Sequence, residues 1–185
     1  MEIIQSPSPN FYERKGYKPE LIVVHCTDGV FPGDLNHLRN PNPGGIGPVS
    51  SHYVLSPTGE VHQLVQLDKA AWHSGRVDHP SANLKKGMLG YVNPNLYSVG
   101  IEVSMRGTGT MTNVQHKVLL LLLQEIGSKC GIPLDRAHIV GHREIFSLKT
   151  CPGTIDVDAL VRELVPGVDR AAIVQQIKEL ADKLL

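Results

Sequence analysis

The chain has 185 residues, 41% of them hydrophobic and 19% charged, a balance that excludes intrinsic disorder and suits one domain with a sizeable core. Lysine plus arginine and aspartate plus glutamate number 18 each, so the net charge gives no sign of a nucleic-acid partner. The longest apolar run, residues 118–123, falls far short of the roughly 20 residues of a membrane span.

The elements follow in chain order. Residues 1–20, with Pro7, Pro9 and Pro19, read as an irregular lead-in. Residues 21–25 form a continuous, β-branched apolar run bounded by polar turn residues, the pattern of a central strand. Residues 31–39 have the make-up of a short helix, and the Asn/Pro/Gly-rich stretch 40–48 is loop. A hairpin comes next: strands at 52–55 and 60–65 joined by Ser56-Pro57-Thr58-Gly59. Residues 70–95 are a long segment rich in Gly, Pro and polar residues that carries the only tryptophan, Trp72. Loops this long inside compact domains are commonly functional.

Residues 98–103 return to strand character, and Thr112 caps a helix over 114–129 that Gly131 and Pro133 end. Val118, Leu119, Leu122, Leu123 and Ile126 mark its core face. A short strand at 137–140 leads into a loop beginning at His142, and residues 156–164 form a closing helix. Pro166-Gly167 then separates an amphipathic helix over 169–185. The division expected is a lead-in (1–20), a catalytic domain (21–165) and a helical tail (166–185). Strands separated by helices, with one hairpin, define an α/β fold: a single domain with a central mixed β-sheet flanked by helices, plus the C-terminal amphipathic helix.

The chemistry concentrates in two places. Val23-Val24-His25-Cys26 ends the apolar strand on a histidine, and Gly141-His142-Arg143-Glu144 is followed closely by Lys149-Thr150-Cys151-Pro152-Gly153. Two imidazoles and a thiolate are three donors for a tetrahedral zinc whose fourth position stays open, the pattern of catalytic sites. Cys26 is adjacent to His25 on a strand, so if His25 faces a cleft Cys26 faces the core. Three cysteines without a secretory leader pattern at the N-terminus imply free thiols and a cytoplasmic chain.

These segments occur in order with Ser51-His52-Tyr53, Gly59-Glu60-Val61, Ala71-Trp72-His73-Ser74-Gly75 and Ser98-Val99-Gly100-Ile101-Glu102. Together they resemble the zinc-dependent N-acetylmuramoyl-L-alanine amidases of the amidase-2 and peptidoglycan-recognition-protein superfamily, across roughly residues 18–165. The resemblance implies one zinc per chain held by His25, His142 and Cys151. Some relatives carry aspartate at the third position; cysteine is similar to the phage and recognition-protein branch. It also implies attack of an activated water on the lactyl–L-alanine amide, with Lys149 stabilising the oxyanion and Glu102 as general acid–base. Lysozyme-type relatives use a tyrosine whose place here is taken by Ser51, whereas recycling-type relatives have glutamate at the position of Glu102. Tyr53 is therefore expected to pack. The competing reading of Glu102 is a solvent-facing residue at a sheet edge.

Trp72 and His73 match the family's substrate-groove wall and are expected to bind substrate; burial as loop anchors is the alternative. Lys69, Arg76, Lys85, Lys86 and Arg106 place positive charge around the middle of the chain, where a solvated surface explains it without a partner. Three roles follow from the resemblance: a phage or prophage endolysin that degrades bacterial peptidoglycan once released, an intracellular muropeptide-recycling amidase, or a non-catalytic recognition module. The full set of Glu102, Lys149 and Cys151 disfavours the last, and the endolysin is the leading expectation. The tail's apolar stripe (Ile173, Val174, Ile177, Leu180, Ala181, Leu184, Leu185) has three uses: packing on the catalytic domain, self-association with another chain, or adjoining a separate wall-binding domain.

Overall fold

Strand β3 (Leu21–Cys26) is buried along its whole length, as its unbroken apolar run predicts for a strand covered on both faces. The computed structural model describes residues 2–45, 47–80, 92–164, 175–177 and 179. Strand β7 (Ser98–Val103) and strand β8 (Ile139–Gly141) flank β3, both parallel to it. The hairpin of β4 (Tyr53–Leu55) and β5 (Val61–Gln63) adds to the far side of β7, with β4 parallel to it. With β1 (Ile3–Gln5) at its edge, the result is a mixed six-stranded sheet in the order β1-β5-β4-β7-β3-β8.

The sheet corrects the expectation for residues 1–20. They are not irregular: β1 (Ile3–Gln5) pairs in parallel with β5 at the sheet edge, and β2 (Phe11–Glu13) pairs antiparallel with β6 (Lys69–Ala71) in a second small sheet. Strands of three residues are too short for an alternating pattern to register, and partners far along the chain fix them. Arg14, just after β2, is 4% exposed and donates to the carbonyls of Leu67, Asn95, Leu96 and Ser98. It ties the N-terminal segment to the body of the domain.

The two faces of the sheet are segregated by the two-residue period of the strands. Ile22, Val24 and Cys26 of β3 and Val99, Ile101 and Val103 of β7 enter the main core, together with Tyr53. Helix α2 (Asn113–Cys130) covers that face with Val118, Leu119, Leu122, Leu123 and Ile126, and Leu120 and Leu121 are buried too. Thr112 caps it in a full capping box with Gln115, and Gly131 closes it in the left-handed region. The short helices α1 (Gly33–Arg39), α3 (His142–Ile145) and α4 (Val157–Glu163) complete the domain. Leu21 and Val23 point to the opposite face with Val140 and Ile145. No helix among the described residues is long and apolar enough to cross a membrane.

Most of the tail helix lies outside the described residues. Its described part is helical, Ile177 packs against the main core, and Gln176 accepts a hydrogen bond from Lys117 of α2. Lys85 and Lys86 also lie outside the described residues, whereas Lys69 pairs with Glu13 at 2.8 Å and Arg76 stacks over Phe146. Replacing Thr112 removes the cap from the helix that packs on the main core face of the sheet. Thr112→Ala should lower stability by about 1 kcal/mol in urea unfolding; a change within a few tenths would show that packing alone holds that end.

Candidate metal centre and its surroundings

The parallel pairing of β7, β3 and β8 puts their carboxyl ends side by side. His25 lies opposite Glu102 in the β3–β7 register, and Val24 lies opposite Gly141, the residue before His142. Clefts beyond the carboxyl ends of parallel strands are the usual ligand sites of α/β sheets. His142 does not sit on a loop, as expected, but opens α3, a helix of only four residues that is too short for periodicity to reveal.

The neighbours of His142 explain its motif. Glu144 accepts the Gly141 N–H at 2.7 Å and a bond from Arg136 at 2.7 Å. The Arg143 N–H donates to the Cys151 carbonyl at 2.8 Å, and its guanidinium donates to the Gly153 carbonyl at 3.0 Å. One side of the motif thus caps α3 while the other clamps the loop that brings Cys151 back to the strands.

His25, His142 and Cys151 each offer one ligand atom, and these atoms all lie within 4.8 Å of one another. His25 Nδ1 is 3.4 Å from Cys151 Sγ. A tetrahedral zinc with ordinary bond lengths sets its nitrogen and sulfur ligands about 3.6 Å apart, so the donor set fits a metal ion in type and spacing. Burial, the neighbouring His142 and the charge of Lys149 hold His25 well below the usual histidine range. Burial and Lys149 likewise lower His142 to about 4. Both imidazoles therefore present lone pairs at neutral pH. Lys149 is itself exposed, yet its charge reaches both rings.

Glu102 is 14% exposed and its Oε1 lies 3.9 Å from His25 Nδ1. Its Oε2 is buried with no partner among the described residues. Burial, then the nearby Cys26 and Asp34, push its carboxyl up to about 8. A solvent-facing glutamate would show none of this, so that reading fails. Glu102 lines a cleft of about 540 Å³ with Thr27, Val30, Asp34, His37 and Arg106 among its walls. Asp34 escaped the sequence reading. Its carboxylate accepts from Thr27 Oγ1 at 2.8 Å, Ser104 Oγ at 2.5 Å and the Leu35 N–H, binding the ends of β3 and β7 to α1. Nothing in its sequence context distinguishes it from a surface acid of a short helix.

The remaining expected residues fall in different places. Tyr53 is 1% exposed in the main core, and the buried Ser51 hydroxyl donates to the Tyr53 carbonyl. Cys26 belongs to the core with its side chain, while its N–H donates to Cys151 Sγ at 3.3 Å. Trp72 is 38% exposed and its ring lies 4.4 Å from that of Tyr12. His73 is 3.1 Å from His25 Nε2, and its backbone N–H donates to Asn95 Oδ1. Neither Trp72 nor His73 is among the residues that line the cleft beside Glu102.

Three donors beside a buried acid at the strand ends are the layout of a single-metal hydrolytic centre. Residues 15–154 match the N-acetylmuramoyl-L-alanine amidase family model, and the chain belongs to that family. It is 28% identical over 163 residues to the 1,6-anhydro-N-acetylmuramyl-L-alanine amidase AmpD of Citrobacter freundii, covering 80% of this chain and 81% of that protein. The Escherichia coli K12 AmpD is similar at 28% identity, with 80% and 83% covered. Among solved structures, a selenomethionyl AmpD derivative superposes with a TM-score of 0.71 at 28% identity, over 89% of this chain and 94% of that one. A mutant endolysin from Bacillus subtilis gives 0.62 at 25% identity, over 89% and 99%.

The Cys151 loop depends on Gly153, whose φ is +63° and whose missing side chain leaves room for the Gly107 carbonyl. Any Cβ there would overlap that oxygen. Gly153→Ala should cost more than about 1 kcal/mol in thermal unfolding and should raise the reactivity of Cys151 towards a thiol reagent. A stable variant with an unreactive thiol would show that the loop tolerates rearrangement.

Proposed function

We propose that this chain is a zinc-dependent amidase that hydrolyses the bond between N-acetylmuramic acid and L-alanine in peptidoglycan-derived muramyl peptides. One observation carries the reading: a buried carboxylate oxygen on Glu102, unpartnered among the described residues, stands beside a two-histidine, one-thiol cluster. His25, His142 and Cys151 would hold the zinc. When bound, that ion supplies a Lewis acid and lowers the pKa of water to about 7.

The protein's own groups do the rest. Glu102 takes a proton from the attacking water and returns it to the leaving L-alanine amine. Lys149 projects positive charge over the cluster, evident in its pull on both histidines, and stabilises the oxyanion that develops on the carbonyl. Trp72 offers an exposed apolar surface to the glycan or the stem peptide. The curated relatives named for 1,6-anhydromuramyl substrates support a soluble muropeptide, and hence recycling, over the endolysin that the sequence put first. The endolysin-like neighbour keeps wall lysis as the second reading.

Metal analysis should return close to one zinc per chain. Cys151→Ala should lose most of it and Cys26→Ala should keep it; full zinc and activity in Cys151→Ala would discard the ligand set. Glu102→Gln should lose about 10²–10⁴ in kcat with zinc retained, and Lys149→Ala about 10²–10³, whereas Tyr53→Phe should change little. To separate the two roles, rates on a soluble anhydromuramyl peptide and on insoluble sacculi should be compared, scoring new L-alanine amino termini. Faster release from the soluble substrate is expected; the opposite ranking transfers the enzyme to wall lysis.

A further inference from the structure

We propose that His73 is a positioning residue of the metal centre: a hydrogen-bond chain anchored on the Pro94 carbonyl fixes the tautomer of His25, leaving its Nδ1 lone pair facing Cys151. The inference rests on the zinc reading of the cluster but derives its direction from the far end of the chain. A carbonyl oxygen only accepts, so the Ser98 hydroxyl directs its one hydrogen to Pro94 at 2.7 Å. Ser98 Oγ must then accept from its other neighbour, His73 Nε2, at 3.1 Å. His73 therefore carries its hydrogen on Nε2.

A neutral imidazole has one N–H. His73 is half-buried, its ring edge-on to those of His25 and His52, and among the described residues no carboxylate is bonded to it that would hold a second hydrogen on the ring. Its Nδ1 is bare and accepts from His25 Nε2 at 3.1 Å. That bond puts the His25 hydrogen on Nε2 and leaves Nδ1, 3.4 Å from Cys151 Sγ, without one. The opposite tautomer of either ring would set two hydrogens or two lone pairs against each other. Metal-bound histidines generally have the second nitrogen oriented by a carboxylate, a carbonyl or water; here a second imidazole takes that place.

The strand is shaped for this ring. Ser98, Gly100 and Glu102 alternate on one face of β7, opposite Leu21, Val23 and His25. A Cβ on Gly100 would stand 2.6 Å from His73 Cγ, so glycine leaves the space in which the ring lies. His73 thus belongs to the support of His25, although the sequence placed it in the substrate groove.

The test uses the full chain. Two-bond proton–nitrogen spectra of the metal-free, histidine-labelled protein should show His25 and His73 both as the Nε2–H tautomer. A hydrogen on Nδ1 of either ring overturns the proposal. In parallel, zinc affinity should be measured by chelator competition for His73→Ala and Ser98→Ala. Each is expected to bind about 10–100-fold more weakly with an unchanged melting temperature of the metal-free form. Unchanged affinity in both overturns the proposal. Should a variant fail to fold, the wild-type spectra decide. A wild type that takes up no zinc sinks the metal reading, and the spectra still decide the orientation of the two rings.

Discussion

The parallel pairing of β7, β3 and β8 is the constraint on which the site depends. Its register sets His25 opposite Glu102 and Val24 opposite Gly141, which brings an acid and two histidines to one end of the sheet. A slip by one residue would turn His25 into the core and Cys26 into the cleft, because neighbouring strand residues point to opposite faces. The register is held by burial: Leu21, Ile22, Val23 and Val24 are all fully buried. Each would lose its packing in any other alignment. Chemistry and core packing therefore select the same pairing.

The same period divides the labour of β7. Val99, Ile101 and Val103 pack under α2, while Ser98, Gly100 and Glu102 on the other face supply a hydroxyl, an empty space and a carboxylate. Those three residues are too small or too polar to build a second core layer. What they make instead is a pocket for one imidazole and a half-buried seat for one acid. Burial is the largest cause of the raised proton affinity of Glu102.

Much of this was legible in the sequence, and the reasons are physical. Long periodic elements announced themselves: Thr112 and Gly131 bound α2, the run 21–25 marked β3, and Glu102 stood out as an acid among strand residues with apolar neighbours. The metal-ligand candidates were visible because histidine and cysteine were placed beside strand ends and turns. What stayed hidden depends on partners distant in the chain. Strands β1 and β2 exist only through β5 and β6. Asp34 matters only because Thr27 and Ser104 converge on it. None of these has a local signature, since each owes its role to the tertiary fold.

The Cys151 loop shows how the remaining ligand is brought to the strands. The segment between α3 and α4 exposes Ser147, Leu148, Lys149 and Thr150 to solvent, and beyond them Pro152 and Ile155 are buried. Hydrogen bonds add to that anchor: Arg143 holds the carbonyls of Cys151 and Gly153, and the Cys26 N–H points at the sulfur. A cation shared with His25 and His142 would add a tie between this loop and two core strands, and the free energy of such binding is in part free energy of folding. Strand β3 and helix α3 thus hold His25 and His142 in place, while Cys151 follows Lys149 on a segment whose residues 147–150 face solvent.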